Sequence, residues 1–476
     1  MSAEFEPSAP LLSPASRSRK AILGWLLGVS VAIPAAAWLW GYMVDDALIT
    51  ARVAAHIAQG LGPRFNPRGP LTDAVTPLGY AQLLAPLGGG DTWHTFVAAK
   101  WLGLVAWLAA SGLLGVSIAR AGQRKRRFTP LGIVLLSAPL AAWAVSGMET
   151  GVVTLLATLG LLEGPLAALA LGAAAAWRPE LVPFAAVLVS GRLLVARPAA
   201  RRVLAELACL LVPALCIALA RWLAFGRAVP LSFYAKPSDF AHGLRYALGA
   251  FAFTGLPWLL LGGPRELSAV PRAARPLFVA FAVHLFALVL CGGDWMTLYR
   301  LVVPALPCAA LAAAYLAEQA RPLWLGLRLF IATASALLLA FGLGRSARRV
   351  GAERMALIAA ARPVLARDPR IAALDVGWVG AARDAEVIDL AGVTDPEVAA
   401  FPGGHTSKAI PKAWLFKRAP TAIVLLLADG ELQDSFEWSW YSRAVEERIA
   451  HTVGADFKVR TTLALGQQKY VLLEPR

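Results

Sequence analysis

The chain has 476 residues, of which 58% are hydrophobic and 16% charged, and its formal net charge is +15. A soluble globular chain is closer to half apolar and a quarter charged, and here the excess lies in blocks of roughly 17–25 residues, the length a helix needs to cross about 30 Å of hydrocarbon. Composition therefore excludes an ordinary soluble domain. The arginines sit between apolar blocks rather than in a stripe interleaved with aromatics, which argues against nucleic acid as the partner of the positive charge.

The first sixteen residues are rich in Ser, Pro and Glu, the composition of a disordered segment. Residues 1–20 are read as a cytoplasmic N-terminus that ends in the basic run Arg17–Lys20. A first span is predicted at about 21–43; it is too long for a signal peptide, and no small-residue cleavage site follows it. A polar loop, 44–92, comes next and opens on Asp45 and Asp46. Its stretch ALITARVAAHIAQGLG (47–62) has the pattern of an amphipathic helix lying on the membrane surface. The next span, about 93–119, ends in RAGQRKRRF (120–128), the densest basic run in the chain.

Further spans are predicted at about 129–147, 151–163, 165–177, 180–197, 203–223, 246–262, 277–292, 301–319 and 322–343, giving eleven within a transmembrane unit of 21–345. With the N-terminus inside, this count keeps the arginine-rich connections 192–202, 263–276 and 318–322 in the cytoplasm. The loops 44–92, 146–150, 178–180, 224–245 and 292–300 then face outward, as does the tail, 350–476. The tail carries β-rich runs at 370–376, 385–392, 421–427 and 468–474 and a helix-compatible stretch at 436–452. The expected fold is a polytopic α-helical membrane protein of about eleven transmembrane helices with a small C-terminal α/β extracytoplasmic domain. The cysteines (Cys209, Cys216, Cys291, Cys308) show neither metal-ligand spacing nor a disulfide framework.

An ionisable group near a membrane is costly and is a functional hypothesis by default. On this topology Asp45, Asp46, Arg52, Glu149, Arg178, Glu180, Tyr234, Lys236, Asp294 and Arg300 all collect at one side. Structural roles compete for some of them. Arg178 and Glu180, in WRPE, could cap a helix that restarts at Pro179, and Glu149 could be a first-turn acid favoured by the helix dipole. Asp294 follows two glycines and sits beside Trp295 and Tyr299, as belt aromatics do. A helix cap needs only one aspartate, so the Asp45–Asp46 pair points to function.

Such an arrangement suits a reaction between a lipid-anchored donor and a water-soluble acceptor. Arg and Lys would meet the donor phosphate. A carboxylate, its pKa raised by burial and a neighbouring acid, would take the proton of the acceptor hydroxyl.

Local sequence narrows the class. DDALITARVAAHIAQGLGPRFNP (45–67) resembles the first outer loop of GT-C-type glycosyltransferases, in the bacterial group that includes the mycobacterial terminal arabinofuranosyltransferase. SGMET (146–150), WRPE (177–180), PLSFYAK (230–236), GGDWMTLYRLVVPALP (292–307) and VIDLAGVTDPEVA (387–399), with Gly404–His405, fit the same family in the same order. The resemblance implies an active site on the outer side, a polyprenyl-phosphate pentose or related sugar as donor, and Asp45, with Asp46 beside it, as catalytic acid pair. From charge and side, Arg178, Lys236, Arg300 and Tyr234 are expected at the donor phosphate. Arg52, Glu149, Glu180, Asp294 and Trp295 are expected to orient substrate. Where relatives resemble EGYTSPLW this chain has LTDAVTPLGY (71–80), so arabinose itself is not carried over.

The implied partners are a polyprenyl-phosphate-linked sugar, an envelope glycan or glycoconjugate acceptor and the lipid bilayer, in a bacterial inner (plasma) membrane. A divalent cation at Asp45 and Asp46 is conceivable, but no further ligand set accompanies them, so no metal is assigned. A transporter or flippase of a lipid-linked glycan is the alternative. It would place its charges near the midplane and show paired halves, and neither is read here. A non-catalytic glycan-binding scaffold would have little use for the acid pair.

Overall fold

The computed structural model describes residues 14–121, 125–427, 444–465 and 468–476. Most of residues 1–20, part of the basic run at 120–128 and the first half of the 436–452 stretch fall outside that set. The described chain is mostly helical up to residue 365 and then α/β.

Among the described residues, seven helices are long and apolar enough to cross a membrane: Arg19–Trp38, Thr92–Ala121, Pro179–Ala196, Ala200–Phe225, Arg272–Leu290, Arg300–Gln319 and Pro322–Leu365. An eighth would be the pair Arg126–Leu136 and Ala138–Ala144, which bends by 59° at Ser137. The count differs from eleven for local reasons. Thr150–Leu159 and Pro165–Trp177 are apolar but short, because Gly164 and Pro165 split one block in two. The predicted span at 246–262 is divided between Phe240–Phe253 and the 3-10 turn Leu256–Leu260, with Gly255 at a φ of 81° between them. Helices compatible with a membrane thus form the body of the chain. Ala200–Phe225 presents Leu211, Leu215, Leu219 and Leu223 outward, 57, 66, 56 and 70% exposed. That much aliphatic surface in one row fits hydrocarbon, not water.

The tail folds into a five-stranded sheet: β1 (Arg370–Ala373), β2 (Glu386–Asp389), β3 (Ala422–Leu426), β4 (Phe457–Leu465) and β5 (Gln468–Pro475), in the order β2-β1-β3-β5-β4. β1 pairs in parallel with β2 and β3, and β5 runs antiparallel to β3 and β4. Ile423 and Leu425 of β3 pack with Val445 and Ile449 of the helix Ala444–Val453 in one apolar cluster, while Ala422 and Val424 join the larger core shared with the helical body. The sheet thus has covered faces, as its parallel half requires.

The helix Asp45–Ala58 departs from the expected surface helix. Every residue from Ala47 to His56 is buried, because Thr92–Ala121 covers one side and the tail helix Val376–Ala382 the other. The first polar loop is therefore the layer between the helical body and the α/β tail. Asn66 exchanges two 2.9 Å bonds with the backbone of Val387, and the Thr72 hydroxyl donates to the Thr394 carbonyl at 2.9 Å.

Candidate functional site

Asp45 and Asp46 both lie in the first turn of a helix, where the dipole favours acids. Their side chains have different surroundings. Asp45 accepts from the backbone N–H groups of Gly377 at 2.7 Å and Trp378 at 2.9 Å. These are among the orphan donors at the start of Val376–Ala382, so Asp45 caps a helix more than 300 residues away. A Cβ at position 377 would sit 2.2 Å from the Asp45 carbonyl oxygen, which is why that contact needs glycine. Burial pushes the Asp45 carboxyl up to about 6; Arg354 opposes this and Asp375 reinforces it.

A group whose folded pKa is raised contributes stability that is complete below its unfolded pKa and is lost as pH rises through the folded one. Acidifying from pH 7 toward pH 4 is therefore expected to strengthen docking of the tail by on the order of 2 kcal/mol. The melting midpoint should rise across that window in the native chain, and the slope should flatten in Asp45→Asn. An unchanged slope in the variant would remove Asp45 as its source.

Asp46 faces a niche of about 40 Å³ whose lining includes Thr50, Thr76, Met148, Glu149, Arg178, Ser232, Lys236, Arg300 and Val393. Five of the residues expected at the site, Asp46, Glu149, Arg178, Lys236 and Arg300, thus meet in one place. Arg178 sits at the break between Pro165–Trp177 and Pro179–Leu181 and pairs with Glu149 at 2.9 Å and Glu180 at 3.8 Å. Arg300 pairs with Asp294 at 2.8 Å. All five side chains of these pairs are buried. Among the described residues, Lys236 is the lining cation without an ion pair.

Arg300 is aimed by a strained turn. Leu298 and Tyr299 have φ of 61° and 47°, left-handed values that cost a non-glycine residue free energy and cluster at functional sites. The turn is held by the Trp143 indole donating to the Leu298 carbonyl at 2.8 Å and by the Leu301 N–H donating to the Tyr246 hydroxyl at 2.9 Å. Nothing in the residue types Leu and Tyr signals this conformation.

The other expected residues lie elsewhere. Arg52 is buried with its guanidinium on the carbonyls of Phe65, Gly380, Arg383 and Ala385, so it clamps the loop to the tail. Tyr234 is 48% exposed and does not line the niche. Trp295 stacks on His242 at 4.7 Å and lines a neighbouring cavity of about 320 Å³ with Lys236 and His405. Lys236 thus stands between two cavities.

Three further features were not anticipated. Asp73 and Arg221 form a buried pair at 3.0 Å that pins the loop to the helix Ala200–Phe225. Lys100, buried within Thr92–Ala121, donates to the carbonyls of Trp40, Tyr42 and Val145 at 2.8, 2.8 and 2.6 Å. A lone lysine in an apolar block was the signal there. Asp389 accepts from the N–H groups of Ala391, Gly392 and Thr394, and so shapes the turn that brings Val393 to the niche.

Each Asp45 oxygen already accepts one backbone N–H, so a divalent ion shared with Asp46 would compete with those bonds for the remaining lone pairs. Among the described residues no group of three or more His, Cys, Asp or Glu is placed to hold a metal.

Residues 345–472 are similar to a family described as a domain of unknown function, DUF8728. That match covers the α/β tail and the helix leading into it. A comparison with curated proteins finds no match for the chain.

Proposed function

We propose that the chain is a membrane glycosyltransferase that moves a sugar, a pentose such as arabinofuranose or a relative, from a polyprenyl-phosphate donor to a glycan or other hydroxyl-bearing acceptor. The observation that carries this reading is the niche: Asp46, whose carboxylate has no hydrogen bond or ion pair among the described residues, faces three cations at the junction of helical body and tail. In this reading Asp46 takes the proton from the acceptor hydroxyl as its oxygen attacks C1 of the sugar. The bond from C1 to the phosphate oxygen breaks, and polyprenyl phosphate leaves with the electron pair. Arg178 and Arg300 already face carboxylates, so the leaving phosphate meets Lys236 first, as a point charge. The donor side of the niche is the outer face of a bacterial plasma membrane, the face that the loop and the tail share.

A cavity of about 40 Å³ holds two or three waters, not a sugar ring. Entry therefore needs the lining to part. The 3.0 Å bond between the Thr76 and Ser232 hydroxyls joins the loop to the short helix Leu231–Ala235 across it and, being between two neutral groups, is the place to open. A flippase is less favoured, because these charges gather at helix ends rather than at mid-span.

Mass spectrometry of lipid carried through purification is expected to find a prenyl phosphate bearing a sugar, and that donor should release prenyl phosphate when acceptor glycan is added. Lys236→Gln should raise KM for the donor about 10–100-fold, the value of a lost charge-assisted contact, with a smaller change in kcat. A donor KM unchanged in this variant would take the phosphate away from Lys236. Transport of intact lipid-linked glycan without release of prenyl phosphate would favour the flippase.

A further inference from the structure

The span Arg300–Gln319 leads from the niche to the other end of the bundle, about 30 Å away for its 20 residues. There a cavity of about 660 Å³ opens between the turn at 261–266 and the start of the helix Pro322–Phe341. Three arginines line it, Arg265, Arg321 and Arg328, against one acid, Glu266. Arg328 is buried and donates to Glu266 at 2.9 Å and to the Leu261 carbonyl at 3.2 Å. The Arg321 backbone N–H donates to the other Glu266 oxygen at 3.3 Å. Glu266 is thus committed to Arg328 and to a helix start. The side chains of Arg265 and Arg321 are exposed at the rim, and among the described residues neither has an ion pair.

The wall beside these cations is apolar and outward-facing. Trp324 in the lining is 54% exposed and Leu261 53%, and Leu323, next to Trp324 in the chain, is 80% exposed. Trp324 lies two residues inside a candidate span, where an indole sits at the boundary of hydrocarbon and headgroup. Two uncompensated guanidinium groups above an aliphatic wall, at the interfacial ends of two spans, match one chemistry: a phosphodiester with acyl chains beneath it. A free phosphate would satisfy the arginines but leave the wall uncovered.

We propose that this cavity binds the headgroup of an anionic phospholipid, which bridges the 261–266 turn to the helix that leads into the tail. The site is independent of the chemistry assigned to the niche. The test uses the full chain in detergent and native mass spectrometry, with phosphatidylglycerol, phosphatidylcholine of the same acyl chains, and glycerol 3-phosphate as probes. Phosphatidylglycerol should be retained in preference to phosphatidylcholine, and a comparison on the native chain needs no variant. Arg265→Gln and Arg321→Gln should each weaken retention about five-fold, and about 25-fold together. Glycerol 3-phosphate should not displace the lipid. Equal retention of the two phospholipids, or native-like retention by the double variant, overturns the proposal. So does full displacement by glycerol 3-phosphate, which would mark a site for soluble phosphate.

Discussion

Asp46→Asn is expected to lower kcat for sugar transfer by about 10²–10⁴-fold, with donor KM close to native. The amide keeps the shape of the carboxylate and loses only its capacity to accept a proton. The melting midpoint should hardly move, because among the described residues no hydrogen bond is found on the Asp46 side chain; the Thr50 hydroxyl donates to its main-chain carbonyl, which the substitution leaves in place. Asp45→Asn should do the reverse. Its amide would turn an N–H toward one of the two backbone donors of Gly377 and Trp378, which loses one bond and leaves a buried donor unmet, at a cost of about 1–3 kcal/mol when both chains are compared near pH 4, where the native carboxyl is neutral too. Transfer rate and melting midpoint, measured on both variants with the donor that co-purifies, separate the two roles. A dead Asp45→Asn of native stability beside an active Asp46→Asn would return the base to Asp45.

That division is partly legible in the sequence. Consecutive residues on a helix point about 100° apart and do not face one another, so two adjacent carboxylates at a helix start rarely serve one site. Which of them faces inward depended on Gly377 and Trp378, and no local pattern links those to residue 45. The gathering of Glu149, Arg178, Lys236 and Arg300 was legible, because each charge interrupts an apolar block at the same end. Four of the five strands were legible from their β-branched runs. The fifth, β4, was missed although Phe457, Val459, Thr461 and Leu463 alternate with Lys458, Arg460 and Thr462. The burial of 47–56 was not legible, because small residues such as Ala51 and Ala54 suit a membrane surface and a packed interface equally well. The pairing of Asp73 with Arg221 needed the fold, since 148 residues separate them.

Arg52→Ala should release the tail from the loop, with a loss of roughly 3–5 kcal/mol. The native guanidinium donates Nε to the Phe65 carbonyl at 2.8 Å, Nη2 to Ala385 at 2.8 Å, and Nη1 to Gly380 and Arg383. Its bond to Asp384 is longer, 3.4 Å, and that acid is 76% exposed, so the ion pair adds little. The energy lies in four carbonyls that a planar fork reaches at once and that alanine would leave unpaired. Arg52→Lys should recover less than half of the loss, since an ammonium has three donors and no fork. Proteolysis is expected to cleave near residue 350 much faster in Arg52→Ala, and thermal melting to separate into two steps. Transfer should fall as well, although Arg52 touches no lining of the niche, because Val393 reaches that lining from the unit that Arg52 holds in place. If Arg52→Ala melts and digests like the native chain, the shared apolar core and the bonds of Asp45, Asn66 and Thr72 suffice to hold the tail, and the clamp is dispensable.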